Sequence, residues 1–86
     1  MDVSKVQVKY RGQLAALTGI AEESVEARNV EDLLRFIGKR YGREAEKTAR
    51  AMLITLNGES TVLLKQFKTA LREGNTVSFF PLSAGG

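Results

Sequence analysis

The chain contains no cysteine and no histidine, and only one proline. Without cysteine there is no thiol nucleophile, no disulfide and no thiolate metal site. Without histidine, the side chain that most often moves protons near neutral pH is missing. Catalysis by a carboxylate pair remains open. Neither GxxxxGK[ST] nor GxGxxG occurs, so a resident nucleotide site is not expected. No apolar run approaches the ~20 residues needed to span a bilayer. The opening MDVSKVQVKY alternates polar and apolar residues, unlike the core of a signal peptide. A cytoplasmic protein without membrane contacts is therefore expected. The charge imbalance is small, 13 Lys and Arg against 10 Asp and Glu. The basic residues are scattered from Lys5 to Arg72 and aromatics are few, so no stacking platform for nucleic acid is expected. What these absences leave is a protein that enters chemistry as a substrate or carrier, with no metal and no bound cofactor of its own.

What is present fits one domain of 86 residues. From Val3 to Tyr10, Val6, Val8 and Tyr10 alternate with Gln7 and Lys9, the period of a half-buried strand. Residues 14–19 connect, with room for a helical turn. Glu22–Arg28 reads as a second strand with Val25 and Ala27 on one side, able to pair with the first. Asn29 suits a helix N-cap. Behind it, Val30, Leu33, Leu34, Ile37 and Tyr41 form one apolar stripe, and Gly42 stands where a C-cap glycine belongs. Glu31 and Asp32 open this helix and Lys39 and Arg40 close it, complementing its dipole. Arg43–Arg50 reads as an extra turn or loop. Ala51–Leu56 reads as a buried strand, Asn57-Gly58 as a type I′ turn and Glu59–Leu64 as the returning strand. A helical turn is expected within Lys65–Arg72, a turn at Glu73-Gly74-Asn75 and a last strand over Thr76–Phe80, closed by Pro81. The order β-β-α-β-β-β predicts an α+β fold, a mixed sheet of about five strands packed on one main helix. The expected division is a domain over residues 1–81 and a flexible tail over 82–86.

The tail is the chemically distinctive part. Pro81-Leu82-Ser83-Ala84-Gly85-Gly86 has little with which to fold, and its six residues, fully extended, reach about 20 Å. Glycines at the tip lack a Cβ and can thread a narrow channel. A terminal carboxylate on Gly86 has a reference pKa of roughly 3.3–3.7 and is ionised at neutral pH. Such a group can attack the α-phosphate of ATP held by another enzyme, giving an acyl-adenylate. At ordinary glycine usage, two terminal glycines arise by chance in about one chain in 200. Their position behind a strand, a proline and a short spacer therefore points to use. With Gly86 last, no trimming is expected.

The segment Thr76–Gly86 carries the pattern VxFFPxxxGG and resembles the C-terminal signature of the MoaD/ThiS family of ubiquitin-like sulfur carriers, in its MoaD-like form. The VxVxY opening, LxxLTG at 14–19, the helix from Val30, Leu56-Asn57-Gly58 and Leu71-x-x-Gly74 agree with it. The resemblance implies a ubiquitin-like β-grasp fold and a cycle. A MoeB-like activating enzyme with ATP adenylates Gly86, and a sulfur donor converts the adenylate to a thiocarboxylate. The tail then enters a MoaE-like large subunit, where sulfur passes to a pterin precursor for the molybdenum or tungsten cofactor. The carrier donates sulfur, while the catalytic groups belong to its partners. In this cycle Gly86 is the reacting residue, and Gly85, Ala84 and Ser83 thread.

If Val77 and Phe79 face the core, Phe80 faces outward by strand alternation. Phe80, Pro81 and Leu82 are then expected to anchor the partner; the alternative is that Lys65–Leu71 covers Phe80. On the outward side of the first strand, Lys9 and Arg11 stand where MoaD-like chains are often apolar, which leaves room for a more polar partner. Three other uses of the chain stay open. One is a protein modifier joined through Gly86 to lysines. Another is a sulfur donor for tRNA thiolation or thiamine synthesis, and the last is a binding domain with an inert tail.

Overall fold

A computed structural model of the chain describes residues 3–61 and 64–82. Five strands form one sheet: β1 (Ser4–Lys9), β2 (Glu22–Ala27), β3 (Leu53–Leu56), β4 (Glu59–Ser60) and β5 (Thr76–Phe80), in the order β2-β1-β5-β3-β4. β1 runs antiparallel to β2, with Val6 opposite Val25, and parallel to β5, with Val8 opposite Val77. β3 is antiparallel to β5, with Ile54 opposite Phe79. The last strand in the sequence is thus the central one in space.

One face of this sheet is covered by α1 (Gln13–Thr18), α2 (Val30–Tyr41) and α3 (Arg43–Arg50). Val6, Val8, Val25, Ile54, Val77 and Phe79 point into the layer between and are buried, as are Val30, Leu33, Leu34 and Ile37 of the α2 stripe. Asn29 caps α2 by accepting the Asp32 backbone N–H at 2.8 Å. At the other end Gly42, at φ 106°, donates its N–H to Gly38 and turns the chain directly into α3. Only glycine takes that φ without strain. In the β3–β4 turn, Asn57 and Gly58 both have positive φ, 52° and 88°, as a type I′ hairpin requires. Asn57 also exchanges hydrogen bonds with Thr76, tying the hairpin to the start of β5.

Three expectations are corrected. Arg43–Arg50 is a helix, because Ala45 and Ala49 lie one turn apart and are buried. The two helices approach closely there: a Cβ on Gly38 would run into the Glu46 side chain. The strand expected from Ala51 begins at Leu53, since Ala51 and Met52 close α3 with hydrogen bonds to Thr48 and Ala49. The returning strand is paired only at Glu59 and Ser60; residues 62 and 63 lie outside the described ones. The helical turn within Lys65–Arg72 is a short 3-10 turn at Gln66–Lys68.

Arg50 fastens the helices. Its guanidinium donates twice to Glu31 on α2, at 2.9 and 2.9 Å, and twice to Glu46 on α3, at 3.0 and 2.7 Å. It also stacks over Phe67 of the 3-10 turn, 5.4 Å from the ring centre. The Arg50 hydrogen bonds pull the Glu31 carboxyl below its ordinary range, and the two carboxylates raise the guanidinium's own pKa.

Candidate functional site

β5 ends at Phe80, and two further described residues follow it. Alternation along that strand buries Val77 and Phe79 completely and turns Phe80 to the outer face, where it is half-buried. Pro81 and Leu82 follow, both exposed, Leu82 at 59%. Ser83, Ala84, Gly85 and Gly86, the reacting and threading residues expected from the sequence, lie outside the described residues.

The corner between β1 and α1 supports this end of β5. Parallel pairing sets Lys9 opposite Ser78 on the outer face, so two residues further on Arg11 reaches Phe80. Its guanidinium lies over the ring, 5.2 Å from the centre. The cover over Phe80 is therefore Arg11. Leu53 stands opposite Phe80 on β3. Gly12 comes next, at φ 60°; a Cβ there would meet Pro81 Cγ at 3.0 Å. Beyond it Gln13, Thr48, Ala51 and Met52 line a groove of about 420 Å³ with Pro81 and Leu82.

Below the same corner lies an aromatic cluster. Tyr10 stacks on Phe79, with ring centres 6.0 Å apart, and meets Tyr41 edge-on at 6.1 Å. Both phenols donate to one oxygen of Glu23, at 2.7 Å from Tyr10 and 2.8 Å from Tyr41. Burial, then the Glu23 hydrogen bond, hold the Tyr10 phenol well above its ordinary value; the same causes in the same order raise Tyr41. Both phenols therefore stay protonated at neutral pH and do not serve as bases. The cluster instead holds the end of β5 from the core side.

Among the described residues no three carboxylates converge as metal ligands would, and no helix is long and apolar enough to cross a membrane. From Asn75 to Gly86 the sequence carries no ionisable side chain. The sequence reading placed Phe80 on the outer face, and the structure agrees. It missed Gly12, Gln13, Met52 and the α3 end as neighbours of Pro81 and Leu82; the glycine in the corner between β1 and α1 was the one local signal.

Among curated proteins none matches the chain. Its fold is similar to that of small archaeal modifier protein 1 from Methanosarcina acetivorans, with a TM-score of 0.85, 21% identity and all of both chains covered. It is also similar to a putative molybdopterin converting factor, subunit 1, from Pyrococcus furiosus, with a TM-score of 0.69 and 26% identity over 91% of this chain and 97% of that one. A third similar structure belongs to the complex of subunits 1 and 2 of the molybdopterin-converting factor from Helicobacter pylori, with a TM-score of 0.67 and 19% identity over 95% and 99% of the two chains. Residues 8–86 match the ThiS family, from inside β1 through the terminal glycines. With the β-grasp sheet, the exposed exit at Leu82 and the Gly-Gly end in one frame, the chain belongs to the ThiS family of ubiquitin-like sulfur carriers.

Proposed function

We propose that this protein carries sulfur as a thiocarboxylate on Gly86 and delivers it to the pterin precursor of molybdopterin as the small subunit of a molybdopterin synthase. The observation that carries this reading is the family match, which runs unbroken to Gly86 on a domain whose last strand ends in exposed Pro81 and Leu82. The 26% identity with the Pyrococcus furiosus converting-factor subunit supports the molybdopterin assignment. The Helicobacter pylori complex supports a large-subunit partner.

In the proposed cycle, a MoeB-like enzyme binds ATP and the tail together. A Gly86 carboxylate oxygen attacks the α-phosphorus, pyrophosphate leaves, and the acyl-adenylate forms. A sulfide equivalent from the sulfur donor attacks the acyl carbon and AMP leaves, giving the thiocarboxylate. In the large subunit the sulfur passes to the pterin precursor and Gly86 returns as a carboxylate. This domain contributes reach, an unhindered terminus and a docking surface. Adenylation, sulfur donation and acceptor binding belong to its partners.

A second reading shares the first step: a lysine amine attacks the adenylate and Gly86 becomes an isopeptide. It is favoured by the likeness to the archaeal modifier and by the polar Lys9 and Arg11 on the outer face. Intact mass of the protein purified gently from its own cells separates the two. A fraction heavier by the difference between sulfur and oxygen, mapped to Gly86, is expected. Plain carboxylate, with Gly86 found joined to lysines of other proteins, would replace the carrier by the modifier. Deleting Gly86 should abolish either product while the fold stays intact; retained function would leave an inert tail.

A further inference from the structure

The outer face around Phe80 carries a cation prepared for a partner. We propose that Arg11, stacked on Phe80, docks a carboxylate on the protein partner that activates the tail. The inference rests on the tail-activation reading above and names what the partner must present.

Arg11 is exposed and forms no ion pair with any described residue. The contact with Phe80 holds the guanidinium over the ring, and its N–H groups donate to no described residue, so they are available to a carboxylate, which a guanidinium takes bidentately. The molecule itself shows what such a stack accepts. Arg50, over Phe67 at nearly the same distance, holds the carboxylates of Glu31 and Glu46.

The acid nearest in the sheet, Glu22, lines one pocket with Arg11, but its carboxylate accepts from Gln7 at 3.0 Å and forms no ion pair with Arg11. Lys5 and Lys9 stand opposite Glu26 and Glu22 across β1 and β2. That pairing ends at Lys9, and the next residue, Tyr10, hydrogen-bonds the Ala21 carbonyl instead. Among the described residues, Arg11 is therefore left without an acid that engages its guanidinium. The tail and β5 have no ionisable side chain to answer it. The guanidinium lies over half-buried Phe80, whose partner across the sheet on β3 is half-buried Leu53. An acidic side chain set in an apolar rim on the activating enzyme complements this surface in charge and in polarity. A charged hydrogen bond at the margin of an apolar contact discriminates between partners.

The test is ATP–pyrophosphate exchange by the activating enzyme from the same cells, with the full chain as substrate. Wild type, Arg11→Lys, Arg11→Ala and Arg11→Glu are compared at low and high salt, with melting points measured alongside. The KM for the carrier is expected to rise about tenfold in Arg11→Ala and further in Arg11→Glu. Arg11→Lys should fall between, kcat should hold, and the salt dependence of KM should flatten in Arg11→Ala. A wild-type KM in Arg11→Glu at low salt would overturn the inference and leave the carrier reading standing. No exchange with wild type would overturn both. A wild-type dimer broken by Arg11→Glu, with KM unchanged, would assign the stack to a second copy instead.

Discussion

Two arginines of this molecule lie over phenylalanine rings at almost equal distance, and they do different work. Arg50 over Phe67 is enclosed between α2, α3 and the 3-10 turn, and two glutamates engage its donors. Arg11 over Phe80 stands at the exit of the tail with no ion pair among the described residues. The stack is the same; the acids around it differ. Where they are present, the arginine contributes to folding. Where they are missing, the same group remains available to a partner at almost no cost to stability.

The largest test of this contrast is Arg50→Ala. It leaves Glu31 and Glu46 near each other without their cation. Breaking a buried pair costs about 3–5 kcal/mol, but these side chains are roughly a third exposed, 32% for Arg50 and 28% for each glutamate. After that discount a loss of about 1–2 kcal/mol is expected, lowering the melting point by roughly 5–15 °C. An unchanged melting point would mean that Arg50 does not fasten α3.

A smaller effect is expected from pH. The Arg50 hydrogen bonds hold the Glu31 carboxyl below its ordinary pKa, so the folded state is favoured by ionised Glu31. That stabilisation is complete above the unfolded value of about 4.3 and is lost as pH falls through the depressed one. Urea titrations from pH 6 to pH 2 should show wild type losing stability in this window, with a weaker loss in Glu31→Gln. Matching pH profiles would show that the contact is not felt in solution.

The smallest effect on stability belongs to Arg11→Ala. As an exposed side chain without an ion pair it should shift stability by no more than about 0.5 kcal/mol. A large drop in its melting point would make the two arginines alike and remove the distinction.

How much of this was legible beforehand follows from where each signal resides. β1, α2 and β5 were readable because their apolar residues repeat at the period of the element, and Asn29, Gly42 and Asn57-Gly58 mark ends and turns locally. α3 was not, because its buried stripe is Ala45 and Ala49, too small to stand out among six polar neighbours. Its hold on α2 comes from Arg50 reaching Glu31, a partner nineteen positions away. The outward turn of Phe80 was readable from alternation; Arg11 as its cover was not.

Which faces are buried, where α2 begins and ends, and the lack of thiol and imidazole all depend on residue type and short spacing, and can be read from the chain alone. The surroundings of Phe80 and Pro81 came from the packing of the sheet. By placing β5 between β1 and β3 and setting Lys9 opposite Ser78, it brought Arg11 onto Phe80 and Gly12 against Pro81. Parallel pairing joins residues from opposite ends of the chain, and its register is fixed by how Val8, Val77 and Phe79 pack against the helices.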